Sequence, residues 1–202
     1  MLEALWDKAV RTLGGHPGTA GDLAARYAEP HRGYHNTDHV LAVARDVADL
    51  AAHRTDEDRA ILTLAALAHD VVYDGRPGDD ERASAEWVRE RLEEAGVDPE
   101  PVAALVLATI DHTAADELTA LLMDADLAIL GAEPAAYERY RQAVRAEYAH
   151  VPEDAWRAGR GQVLTSLHAR DPLYLTPQAR DRWEARAKAN LAAELAALSE
   201  QR

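Results

Sequence analysis

The chain has 202 residues, enough for one domain with a sizeable core, and its 43 alanines favour closely packed helices because alanine has the highest helix propensity. The lack of cysteine excludes disulfides, thiolate zinc sites, iron–sulfur clusters and cysteine nucleophiles. The net charge of −14 argues against general binding of a nucleic-acid backbone. It does not exclude a small anionic substrate, because a bound cation can reverse the electrostatic field at its site.

The N-terminal segment is predicted to be an amphipathic helix that ends at the sequence GGHPG (14–18). This segment lacks the pattern of a signal peptide, and no apolar run in the chain approaches the length needed to cross a membrane. We therefore expect a cytoplasmic protein. The apolar stripe of the predicted helix consists of Leu2, Leu5, Trp6, Ala9 and Leu13.

The sequence EPHRGYHN (29–36) interrupts the next helical stretch, and Asn36 or Thr37 is expected to cap the helix that follows. His39 lies one helical turn before Val43, so it shares the inward face near the start of this helix. A single histidine on an apolar face is usually structural, so His39 alone does not identify a ligand.

The sequence LAALAHDVVYD (64–74) predicts a core helix that runs into His69 and Asp70. A buried carboxylate beside an imidazole is unfavourable unless both are paired or bind a metal, and no Arg or Lys lies nearby in the sequence. If the helix continues, Asp74 lies one turn after Asp70 on the same face. An equal alternative is that Asp74 is a loop-start carboxylate before Gly75.

Gly96 predicts a helix stop, and VDPEP (97–101) predicts a helix start with proline in the first turn. Leu105 and Thr109 on this helix share a face with His112, which therefore points inward at the helix end. The structural alternative is a cationic imidazole at a helix C-terminus, where the helix dipole favours positive charge.

In ELTALLMDADLAIL (117–130), Leu118, Leu122 and Ile129 define an apolar face. Asp126 lies four residues after Leu122 and close to this face, whereas Asp124 points to the opposite side by the 100° rotation per residue. Asp124 is therefore expected on the surface, where an Asp124→Asn substitution should change stability by no more than about 0.5 kcal/mol.

Near the C-terminus, Thr176 and Pro177 predict an N-cap followed by proline at the first helical position. Because alternating strand patterns are nearly absent, we predict an all-α fold of about eight to ten helices in a single domain spanning 1–202. Its metal-site core is expected at about 31–131, with C-terminal helices at about 134–199 packing on it. The last apolar stripe consists of Trp183, Ala187, Leu191, Leu195 and Leu198.

The ordered set H…HD…D resembles the signature of the HD superfamily of metal-dependent phosphohydrolases. The segments YHNTDHV, LAHDVVYDG, LVLATIDHT and DADLAILG are similar to one branch of it, the small stand-alone HD hydrolases of unassigned substrate. The resemblance implies a compact helical bundle of the HD-domain type and a metal ion held by His39, His69, Asp70 and Asp126. It also implies a phosphohydrolase that acts on a small phosphorylated metabolite or nucleotide through a metal-activated water.

Imidazole and carboxylate ligands suit Mn, Mg, Fe, Co, Ni or Zn, so we expect one divalent ion, and a second if His112 is a ligand. Otherwise His112 contacts water or the leaving group. The residues expected to act in catalysis are Asp70, Asp74 and His112, and those expected to contact substrate are His35, Arg145 and Arg160. An arginine on an acidic helical protein is more often an ion-pair partner, which is the alternative for the last two.

Two other functions remain open from the sequence. One is a non-catalytic regulator that binds a metal or a nucleotide without turnover, and the other is an HD-type di-iron oxygenase. The expected partner is a small phosphorylated substrate, with no general nucleic-acid binding and no membrane. A homodimer is compatible with the sequence, which does not define the oligomeric state.

Overall fold

The computed structural model describes residues 1–111 and 114–200, the last of these by its backbone only. Every regular element within these residues is helical, which confirms the all-α prediction. The chain divides into two compact units, Met1–Asp126 and Leu127–Arg202. The grouping of both units into a single domain stays a prediction.

The described part of the first unit contains α-helices joined by short connections. They are α1 (Leu2–Thr12), α2 (Leu23–Tyr27), α3 (Thr37–Leu50), α4 (Asp56–Ala68), α5 (Asp79–Ala95), α6 (Glu100–Ala108) and α7 (Glu117–Asp126).

Helix α4 lies at the centre of the core of the first unit. It packs against α1, α3, α6 and α7, and residues 64–68 of its last turns are all buried. A helix covered on most sides needs apolar residues around its circumference, which explains the run LAALA. Because α4 contacts both α3 and α7, residues at the ends of these three helices can meet.

Capping residues predicted from the sequence define several helix ends. The Asn36 side chain accepts a hydrogen bond from the Asp38 backbone N–H (2.9 Å), so Asn36 is the N-cap of α3. Gly96 follows α5 in the left-handed conformation with φ 75°, as expected for a glycine helix stop. The start of α3 places His39 in its first turn.

The segment after α4 is tied to helix α5 through two side chains. Ser84 accepts a hydrogen bond from the Val72 backbone N–H (3.1 Å). The Asp80 carboxylate accepts hydrogen bonds from the backbone N–H groups of Asp74 (3.0 Å) and Arg76 (2.8 Å). Because these bonds hold the backbone, the loop after Asp70 has a defined path.

Helix α7 differs from the prediction in the position of Asp124. The sequence placed Asp124 on a solvent face, but it is 1% exposed, and every residue from 119 to 125 is buried. The physical reason is that α7 packs against α3, α4 and α6, which together cover more than one side of the helix. Periodicity predicts a solvent face only where one stripe alone is covered.

The second unit contains helices that pack around its last helix, α11 (Ala185–Glu200). A 3-10 helix (Leu127–Gly131) opens it, and Gly131 lies so close to Trp183 that an added Cβ would be 2.4 Å from the tryptophan Cβ. None of the helices in the described residues is long and apolar enough to cross a membrane. The remaining elements are α8 (Pro134–Glu147), α9 (Glu153–Ala169), α10 (Pro177–Ala179), a π-helical turn (Arg180–Glu184) and α11 (Ala185–Glu200).

Candidate metal centre

Two histidines meet in the core of the first unit. His39 projects from the first turn of α3 and is 5% exposed, while His69 follows the last residue of α4 and is 2% exposed. Their Nε2 atoms lie 3.2 Å apart, and their ring centroids are 5.3 Å apart. Both Nε2 atoms therefore face the same point.

Two carboxylates face the same point as the imidazoles. Asp126, the last residue of α7, places Oδ1 at 3.4 Å from each Nε2 atom. Asp70 places Oδ2 at 3.5 Å from Nε2 of His39 and 3.2 Å from Nε2 of His69. The ligand atoms of His39, His69 and Asp126 all lie within 4.8 Å of one another, a spacing that can hold one metal ion.

The outer nitrogens of the two imidazoles have their own partners. Nδ1 of His69 lies 3.0 Å from the carbonyl oxygen of Ala66, and because a carbonyl only accepts, this nitrogen donates. Nδ1 of His39 lies 3.1 Å from the hydroxyl of Tyr34. Such contacts orient the ring, and for His69 they leave the lone pair of Nε2 directed at the centre when the ring is neutral.

Burial and the carboxylates act in opposite directions on the imidazoles. Burial lowers the pKa of His39 below its ordinary value, whereas for His69 the attraction of Asp70 and Asp126 outweighs burial and raises the pKa well above it. Burial alone would raise the pKa of Asp70, but His69 and His39 hold it well below its ordinary value. The cluster therefore favours a positive charge at its centre.

This donor set fits a divalent metal ion. Nε2 of a neutral His69 carries a lone pair, and Nε2 of His39 and the carboxylates of Asp70 and Asp126 all lie within 3.5 Å of it, so a positive charge at this point, from a proton or a metal ion, balances the two carboxylates. Nitrogen and carboxylate oxygen donors suit Mn, Fe, Co, Ni and Zn, and carboxylates also suit Mg. His39, His69 and Asp126 could hold the ion, and Asp70 faces the same point.

An aromatic and cationic layer beside the centre was not predicted from the sequence. His35, expected to contact substrate, stacks on Tyr73 with ring centroids 4.1 Å apart. Tyr34 packs against the ring of His39, and Arg32 donates to the backbone carbonyl of Asp70 (2.7 Å). Three of these residues, Arg32, Tyr34 and Tyr73, were not predicted from the sequence. They lie in the short breaks between helices, where no helical periodicity indicates which side chains point inward.

The predicted catalytic residues have different outcomes. Asp70 lies at the centre, as described above. Helix α4 ends at Ala68, so the condition for a helical face shared by Asp74 and Asp70 is not met, and the structure agrees with the equal alternative of an exposed loop carboxylate before Gly75. Its catalytic role stays a prediction without that support. His112 lies outside the described residues.

The two arginines expected to contact substrate have partners within the second unit. The Arg160 guanidinium is buried and binds both oxygens of Glu194, at 2.9 and 3.1 Å. Arg145 donates to the carbonyl of Tyr148 (2.8 Å) and to Glu153 (3.0 Å). These contacts favour the alternative of ion-pair partners, and the substrate-binding roles stay predictions.

Comparison with known protein families gives a match. The family model described as HD domain matches residues 36–142, just over half of the chain, and this range includes all four residues of the cluster. Comparisons with curated proteins and with solved structures gave no match.

Proposed function

The chain belongs to the HD domain family, most of whose members are metal-dependent hydrolases, and we propose on this basis that it is a metal-dependent phosphohydrolase. Its substrate would be a small phosphorylated metabolite or nucleotide. The observation that carries the proposal is the convergence of two imidazole Nε2 atoms and two carboxylates on one point in the core.

The residues of the cluster perform distinct tasks in this reaction. His39 and His69 offer Nε2 atoms, and Asp70 and Asp126 supply the negative charge that retains a cation. A divalent ion held by these residues would lower the pKa of a water molecule bound to it and would polarise a phosphoryl oxygen. The Asp70 carboxylate faces the same point as the two imidazoles, so it could accept a hydrogen bond from the attacking water.

Charge neutralisation also explains how an acidic protein can act on a phosphate ester. The chain carries a net charge of −14, which repels anions at long range. Phosphoryl transfer relies mainly on positioning and on neutralising the phosphate oxygens, and a bound cation performs both at short range. We therefore expect turnover to depend strictly on the metal.

The proposal can be tested with a panel of phosphorylated metabolites and nucleotides, each assayed for phosphate release with Mn²⁺, Ni²⁺, Co²⁺ or Mg²⁺. The variant His69→Ala removes one ligand and should abolish turnover. The control His53→Ala changes an exposed histidine that pairs with Glu117 (3.0 Å) and should leave turnover intact. Metal binding without turnover on any substrate would instead support a regulator, and equal turnover in both variants would refute the proposed site.

A further inference from the structure

Arg32 has an unusual environment for a charged residue. Its side chain is 0% exposed, whereas 35% of the side chain of its ion-pair partner Glu29 is exposed. Burying a guanidinium is unfavourable unless its N–H groups are satisfied. Most of its hydrogen bonds go to backbone carbonyl oxygens rather than to carboxylates, which is unusual for an arginine held only by an ion pair.

These carbonyl groups belong to the two segments that flank the metal cluster. Nη1 of Arg32 donates to the carbonyls of Asp70 (2.7 Å) and His35 (3.0 Å). Nη2 donates to the carbonyl of Val71 (3.0 Å). One guanidinium thus connects the segment before α3 with the turn after α4, and Asp70 in that turn faces both ligand imidazoles.

The aromatic residues around Arg32 complete this arrangement. The guanidinium carbon lies 5.1 Å from the ring centroid of Tyr27 and 5.7 Å from that of Tyr73. Tyr27 also donates a hydrogen bond to the Leu67 carbonyl (3.0 Å) in the last turn of α4. A cation is favourable here because the carbonyls at and after a helix C-terminus carry partial negative charge.

We propose that Arg32 is a positioning residue of the metal centre, which holds the backbone of Asp70 so that its carboxylate meets the two imidazoles. This inference rests on the proposed metal site. It extends that site to a residue that acts through the backbone of Asp70 rather than as a ligand. A planar guanidinium can reach carbonyls of both segments at once, whereas a lysine ammonium is a single donor centre and cannot reproduce this geometry.

The test compares Arg32→Lys with the control Arg91→Lys by calorimetric titration of Mn²⁺ into each folded, metal-free protein. Arg91 lies in the same unit, contacts Asp22 (3.4 Å) and packs over Trp87 (5.3 Å), so both substitutions keep the charge and remove a guanidinium. We expect Arg32→Lys to weaken Mn²⁺ binding by about 10–100-fold, as for loss of other groups that orient ligands, and Arg91→Lys to leave the affinity within about twofold.

A purely structural role would give a different result. In that case Arg32→Lys would lower the melting temperature of the metal-free protein while the Mn²⁺ affinity of the folded state stayed equal to wild type, which would overturn the inference. If Arg32→Lys does not fold, the same titration is carried out with Glu29→Ala, because the Glu29 carboxylate accepts a hydrogen bond from Nε of Arg32 (3.0 Å). At least threefold weaker binding would then support the inference, and unchanged binding would overturn it. Wild-type protein that binds no Mn²⁺, Ni²⁺ or Co²⁺ would refute the metal site and this inference together.

Discussion

Replacing Asp126 by asparagine tests the assignment of the metal centre most directly. The asparagine amide has the size of the carboxylate and keeps one oxygen donor, but it lacks the negative charge. In the wild-type protein the carboxylate Oδ1 lies 3.4 Å from Nε2 of His39 and of His69. We expect Asp126→Asn to weaken metal binding strongly and to remove the proposed activity, because the charge of the cation is less compensated.

The distances in the cluster give the size of this effect. A cation between ligand atoms that lie within 4.8 Å of one another is within about 4 Å of the carboxylate. At that distance and an effective dielectric constant of about 20, a divalent cation and a carboxylate attract by about 8 kcal/mol, twice the value for two unit charges. This energy corresponds to about six powers of ten in a binding constant. Because the amide oxygen stays as a neutral donor and recovers part of this energy, we expect a loss of at least about 10³-fold.

Asp124→Asn is the matched control on the same helix. Asp124 is buried, and it precedes Asp126 by two residues, or about 200° of helical rotation, so the two side chains leave α7 in different directions. Its substitution should lower the free energy of unfolding by about 1–3 kcal/mol, as for other buried polar groups that lose a partner. The metal affinity of the folded protein should stay within about twofold of wild type.

The assay is calorimetric titration of Mn²⁺ and Ni²⁺ into both variants, combined with urea unfolding of the metal-free proteins. Our assignment requires a loss of affinity in Asp126→Asn and a loss of stability in Asp124→Asn. The opposite pattern, with metal binding lost in Asp124→Asn and retained in Asp126→Asn, would show that the site has been assigned to the wrong aspartate.

Further predictions concern the same unit. Adding Mn²⁺ at about 100 times its Kd should stabilise the metal-free protein by about 2.7 kcal/mol, and differential scanning fluorimetry without any shift would contradict metal binding. Tyr34→Phe removes the hydroxyl that contacts the ligand imidazole and should weaken the metal affinity by about tenfold in the same titration. His112→Ala should lower turnover by about 10²–10⁴-fold while elemental analysis finds the metal retained, and loss of half the metal would indicate a two-ion site. Burial alone would raise the pKa of Asp22, but Trp87 and Arg91 lower it below its ordinary value of 3.8. Its contribution to stability is therefore full above that value and lost as the pH falls further, so the unfolding free energy of Asp22→Asn should depend less on pH between about 5 and 3 than that of wild type.

The features that could be predicted from the sequence depend on local signals. Asn36 caps α3 through its own side chain, and Gly96 stops α5 through its own backbone conformation, so neighbouring residues suffice to identify both. The inward positions of His39 and Asp126 follow from the rotation per residue of the helices that carry them.

The features that could not be predicted depend on contacts between distant residues. Arg32 is 38 positions from Asp70 in the chain, and no spacing rule connects an arginine in one turn with a carbonyl in another. The two valines after Asp70 continue the apolar pattern of α4, although the helix has already ended at Ala68. Asp124 is buried because several helices surround α7, and periodicity within one segment does not report how many neighbours it has.

The two ligand imidazoles differ in how easily mutation can disturb them. The ring of His69 is oriented by a backbone carbonyl one turn earlier in the chain, and any side chain at position 66 that preserves the helix also preserves this acceptor. The ring of His39 is oriented by the hydroxyl of a single tyrosine, which one base change in the gene can remove. Random substitutions will therefore disturb the orientation of the His39 ring more often than that of the His69 ring. A directed-evolution experiment that selects for altered metal preference should accumulate its early substitutions around that histidine.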